Sequence, residues 1–204
     1  MTGRGDGAEE EAGGPATEEV AGRRAPRRIP FPFLVLALAI LATLVRLPYL
    51  QQIPRFTDEW DDTETALAIA REPGHWPLIS NDHYNGPVFH YLLAAGYRLG
   101  ADLTWTRLLA LLCGVAAVLA TAGLARSLGR LALAPNGGKP RPVRWDRADR
   151  AGLIAGLLMA TSFIPVVVGS HIGWSNSTTP LWTTLFLWIL VESLRRNEPR
   201  LLPI

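Results

Sequence analysis

The sequence predicts an all-α, polytopic membrane protein with about four transmembrane helices and interfacial helices in its first outer loop. Two observations predict it. Of 204 residues, 49% are hydrophobic and 19% charged, and the charges are segregated: residues 29–45, 108–125 and 151–191 contain none. A soluble domain interleaves polar side chains at the helical or strand period, so uncharged runs of this length point to lipid as the solvent. The second observation is the placement of basic residues. Arg23, Arg24, Arg27 and Arg28 precede the first run, seven Lys and Arg fall within 126–150, and Arg195 and Arg196 follow the last run. The positive-inside rule makes these segments cytoplasmic, in a cell (inner or plasma) membrane, and turns residues 48–103 outward.

Residues 1–28 hold few large apolar groups, too few to offset the entropy of ordering, and predict a disordered cytoplasmic tail. Its Arg4-Gly5-Asp6 reads as a chance match to an adhesion tripeptide. The membrane unit spans 29–196. Its first span covers 29–50, with Arg46 near the far end, where a long side chain snorkels to the headgroups. A cleaved signal peptide is the competing reading, disfavoured by the length of the apolar core.

In the outer loop, Asp62 or Thr63 is expected to cap a helix that reaches Ala70 and stops at Pro73-Gly74. Pro87 opens a second, in which Val88, Tyr91, Leu92, Ala95 and Leu99 recur at three- and four-residue steps until Gly100. Both read as lying along the membrane surface. Residues 104–125 make the second span, and 126–150 a hydrophilic loop turning at Pro135-Asn136-Gly137-Gly138. The 41 uncharged residues of 151–191 exceed one helix, and the polar stretch 170–180 divides them into two spans joined by an outer turn. Residues 197–204 read as a cytoplasmic end, truncated soon after the last span. Trp60, Trp76, Trp105 and Trp174 fall at the outer interface, as an aromatic belt predicts.

Some functions are set aside. A net charge of +2 with no basic stripe argues against nucleic acid. Cys113, the single cysteine, lies in an apolar run and reads as packing. Asn176-Ser177-Thr178 matches a glycosylation acceptor, but so near the membrane it reads as unmodified.

The chemistry concentrates in 57–91. Asp58, Glu59, Asp61, Asp62 and Glu64 fall within seven residues, and His75, His83 and His90 follow. Asp61, Asp62 and Glu64 read as a solvated first helical turn favoured by the helix dipole. Asp58 and Glu59, placed before that helix, are left as the candidate general base and its companion. His75, His83 and His90 around Asp82 form a candidate site for a divalent metal ion, with His83 as the ligand singled out. Their spacing is irregular, so a structural histidine is the stronger reading.

Three sets of residues carry a family resemblance: Arg46-Leu47-Pro48 at the end of span one, Asp58-Glu59 at the start of the outer loop, and Asn85-Gly86-Pro87-Val88-Phe89-His90-Tyr91-Leu92-Leu93 before span two. Together they resemble the amino-terminal part of the GT-C membrane glycosyltransferases, the protein-mannosyltransferase and aminoarabinose-transferase-like group. The resemblance implies transfer of a sugar from a polyprenyl-phosphate donor, held among membrane lipids, to an acceptor glycan, lipid or protein on the outer side, with inversion at the anomeric carbon. It puts Asp58 at the catalytic acidic position with Glu59 beside it. Arg46, Asp82, His83 and Tyr84 become candidate substrate-binding residues, Arg46 toward a lipid phosphate. Gly86 stands where the family's motif has a proline. Family members have more spans, so a partner subunit supplying further helices is expected. The rival reading is a non-catalytic membrane module that binds lipid carriers or other membrane proteins. A transporter fragment ranks last, because charged groups are missing from the spans.

Overall fold

The computed structural model describes residues 30–72, 74–78, 87–132 and 147–197. The tail, the cytoplasmic end, the 135–138 turn and the residues Asp82, His83 and Tyr84 therefore lie outside the described residues. Among the described residues every regular element is helical. In chain order they are α1 (Phe31–Arg46), α2 (Thr57–Arg71), α3 (Val88–Arg98), α4 (Trp105–Ala132), α5 (Arg147–Thr161), α6 (Phe163–Val166) and α7 (Thr179–Arg196). A π-helical turn (Val167–His171) and a 3-10 turn (Ser175–Thr178) separate α6 from α7.

The fold is built around α4, which touches α1, α3, α5, α7 and both turns. With 28 residues it is the one described helix long and apolar enough to cross a membrane by itself. Helix α5 passes the same test only together with the helical segment that runs to His171, across a bend of 68°. The first apolar helix is shorter than expected, 16 residues ending at Arg46. Leu47 still holds helical angles, φ −66° and ψ −43°, but Pro48 has no N–H to extend the ladder, and Tyr49 then takes a left-handed conformation, φ 62°, that turns the chain away. Helix α7 has 18 residues, with Thr183, Thr184 and Glu192 diluting its apolar content.

Small residues set the packing. An added Cβ on Gly123 would lie 2.5 Å from the Trp188 ring, on Gly152 2.7 Å from the Ala122 carbonyl oxygen, and on Gly156 2.4 Å from a Leu38 methyl. Such close approach is how helices associate where lipid removes the hydrophobic drive between them. The buried cluster between α1, α4 and α5 is Leu38, Ala42, Val118, Ala122 and Ala160. Large apolar side chains point outward instead: Phe33, Leu36, Ile40 and Leu44 on α1, Ile154 and Leu158 on α5, Phe186 and Ile189 on α7 are all exposed.

The two ends differ in their polar chemistry. At the end holding the start of α1, Arg126 stacks over the Phe31 ring at 3.8 Å and donates to Asp149 at 2.6 Å. There Ser127 donates to Glu192 at 3.1 Å and accepts from the Trp188 indole at 3.0 Å. At the other end α2 and α3 pack against each other over the start of α4. Arg98 ties them by donating to the carbonyls of Ile69 and Ala70 in the last turn of α2, at 2.7 and 3.2 Å.

Candidate functional site

Helix α2 begins at Thr57, ahead of the expected cap at Asp62 or Thr63. Phe56 is extended, and Asp58 and Glu59 occupy the first turn, where unpaired backbone N–H groups favour anions. The earlier start corrects the sorting of the five carboxylates. Asp58 and Glu59 do not precede the helix, and Asp62 is not a solvated first-turn acid. The register puts Glu59, Asp62, Thr63, Ala66 and Ile69 on the buried face, while Asp58 stays exposed.

Glu59 is fully buried. Its two oxygens accept from Arg107 of α4, Nε at 2.9 Å and Nη2 at 3.0 Å, in a bidentate pair. Arg107 is also buried and donates through Nη1 to the Leu50 carbonyl at 2.8 Å, fixing the chain that leaves α1. Thr63, one turn along α2, bonds back to the Glu59 carbonyl at 2.7 Å. Arg55 adds a cation 3.9 Å from Glu59 and stacks over Trp60. The first turn of α2 is thus locked to α4, and the exposed Asp58 carboxylate rides on a rigid frame.

Asp62 forms a second buried node. Its Oδ1 accepts from His90 Nε2 of α3 at 2.7 Å, and its Oδ2 accepts from the Ser175 backbone N–H of the 3-10 turn at 2.6 Å. His90 is fully buried, and among the described residues its Nδ1 has no hydrogen-bond partner. An ionised carboxylate only accepts, so His90 presents an Nε2 proton to Asp62. Sequence reasoning missed this pair, since the residues are 28 positions apart. The signal that finds it is the periodicity of Glu59, Asp62, Ala66 and Ile69 once the helix starts at Thr57.

Arg46 does not snorkel. It is completely buried, pointing into the bundle, where Nε donates to the Ser170 hydroxyl at 3.0 Å, Nη1 to the carbonyls of Ala42 and Ala160 at 3.1 and 3.0 Å, and Nη2 to that of Met159 at 3.2 Å. Met159 and Ala160 belong to the last turn of α5, whose carbonyls lack a following turn of the same helix. Arg46 therefore caps the bent segment from inside. An added Cβ at Gly114 would lie 2.5 Å from the Ser170 oxygen and 3.3 Å from the Arg46 guanidinium, so α4 is glycine where this node crosses it.

Of the histidines expected at a metal, His83 lies outside the described residues with Asp82. His75 is exposed, 3.9 Å from Glu72, and His90 is turned to Asp62. His171 is buried, its ring nitrogens 2.8 Å from the carbonyl oxygens of Val166 and Pro48. Next to α4, Asp102 receives the hydroxyl and amide of Thr104, which hold its carboxyl below the usual aspartate range.

Two concave regions open at this end. One, of about 640 Å³, is apolar and lies between the exit of α1 and the π-helical turn, lined by Val45, Pro48, Tyr49, Ile53, Val167 and His171 among others. The other, of about 250 Å³, lies between the start of α3 and the 3-10 turn, lined by Val88, Phe89, Ser175, Asn176, Thr178, Thr179 and Trp182. No protein-family model, no curated protein and no solved structure matches the chain.

Proposed function

We propose that the chain is a multi-pass membrane glycosyltransferase unit of the GT-C type, taking a sugar from a polyprenyl-phosphate donor to an acceptor at the outer face. The membrane reading is supported by the glycines and alanines at the crossings of α5 with α1 and α4, and by the Leu, Ile and Phe side chains exposed along α1, α5 and α7. On this reading α1, α4, the bent α5–α6 segment and α7 are four spans. The Arg126, Arg130, Arg195 and Arg196 end is cytoplasmic, and α2 and α3 lie along the outer surface.

The observation that carries the catalytic reading is the exposed Asp58 on a helix turn immobilised by the adjacent Glu59–Arg107 pair. A base is effective when its position is fixed before substrate arrives. Asp58 would take the acceptor proton as the acceptor oxygen attacks the anomeric carbon, and the polyprenyl phosphate leaves with the electrons of the breaking C–O bond. Glu59 acts by holding Asp58 in place. Asp58→Asn, assayed in membranes as transfer of labelled sugar from a polyprenyl-phosphate donor, is expected to lower turnover roughly 100-fold or more. Unchanged turnover removes the role.

The engagement of Arg46, Glu59 and Asp62 with internal partners favours one alternative, a non-catalytic module that binds lipid carriers or other membrane proteins. It predicts that Asp58→Asn is silent while changes on the exposed face of α1 abolish association.

A further inference from the structure

The smaller cavity beside α3 has walls of a particular chemistry. Asn176 and Thr179 are exposed there, the Trp182 ring is 45% exposed, and Val88 supplies an apolar edge. At about 250 Å³ the space falls below the roughly 300–1,000 Å³ of sites for drug-sized ligands, so it suits a small molecule. A sugar ring is such a molecule. Its axial C–H groups make an apolar face for an indole, and its rim of hydroxyls both donates and accepts.

The cavity is also built on a rigid base. Ser175 belongs to its wall, and the Ser175 amide is held by Asp62, which holds His90 as well. Val88 and Phe89, in the wall, directly precede His90 in α3. Thr178 is fixed by its hydroxyl bond to the Ser175 carbonyl at 2.8 Å.

We propose that this cavity binds a single neutral sugar ring, stacked on Trp182, with hydroxyls held by Asn176 and Thr179. The inference rests on the transferase reading for its biological sense, but binding is measured without any transfer. Trp182 and Asn176 are solvent-facing, so replacing them leaves the helix packing intact.

The test uses the full chain in lipid nanodiscs, with methyl α-glucopyranoside and methyl α-mannopyranoside as probes. Binding is followed by the change in tryptophan fluorescence that is lost in Trp182→Phe. The expected result is a saturable change with at least one probe, and roughly tenfold weaker binding in Trp182→Ala and in Asn176→Ala, about 1.4 kcal/mol. No saturable change with either probe overturns the proposal, as does affinity unaltered by both substitutions. Sugar binding in a chain whose transfer is insensitive to Asp58→Asn leaves the site standing and removes the transferase reading.

Discussion

At the scale of single residues, the outer end is organised by charges that have left the surface. The Glu59–Arg107 pair is buried on both sides, and the desolvation of two ions is offset only by their bidentate geometry and the bond to Leu50. Removing one partner leaves the other charged and dry. Glu59→Gln or Arg107→Met is therefore expected to cost about 3–5 kcal/mol, and the double change Glu59→Leu with Arg107→Met to recover much of it. Denaturant unfolding in detergent micelles measures both. The sequence singles out Asp58 and Glu59, but their separation into an exposed group and an internal strut is not legible in it. Phe56 makes no side-chain cap, and with acids at 58, 59, 61, 62 and 64 the acidic first-turn signal fits more than one helix start. The decisive partner, Arg107, is 48 residues away. Asp62 was misread for the same reason, since a shifted start rotates every later side chain around the helix.

At the scale of elements, helix contact depends on the absence of side chains at particular crossings. Gly152 faces the Ala122 carbonyl oxygen, a backbone atom that cannot step aside, whereas Gly156 faces a Leu38 methyl that can rotate. Gly152→Ala is expected to destabilise by about 1–3 kcal/mol, and Gly156→Ala by less, in the same unfolding measurement. The elements themselves were largely readable. Pro87 and the apolar recurrence to Leu99 placed α3 within a residue or two, and the start of α4 matched. The charge-free 151–191 stretch was rightly divided, but the chain breaks earlier than the polar 170–180 segment. The helix α5 already ends at Thr161, where Arg46 supplies donors to its last carbonyls. A long-range cap of this kind leaves no trace in a hydrophobicity pattern.

At the scale of the whole molecule, polar groups sit inside and at the two ends, and large apolar side chains cover the sides. Single cysteines at Leu36, Ile40 and Leu44, in a Cys113→Ala background, are expected to react with a lipid-soluble maleimide and to resist a membrane-impermeant one. Cysteines at Asp58 and Asn176 are expected to react with the impermeant reagent from outside intact cells, and one at Arg196 only after permeabilisation. Equal reactivity of the α1 positions with the impermeant reagent would overturn the membrane placement. The all-helical architecture of the described residues was legible because helix-length apolar runs are written directly in the composition. The expected four membrane-length helices are not matched: among the described residues only α4 is long and apolar enough by itself, α1 is short and α5 is bent.

The capping of α5 by Arg46 also bears on how the chain is made. The Ala160 carbonyl lies 114 residues downstream of the guanidinium it bonds. At 5–20 residues per second, synthesis leaves that charge without its destination for on the order of ten seconds. During this interval α1 has 16 residues and ends in a cation, a weak candidate for stable insertion. Nascent chains arrested before position 159 should therefore leave α1 extractable by alkaline carbonate, and those carrying α5 should retain it. Arg46→Leu should anchor both.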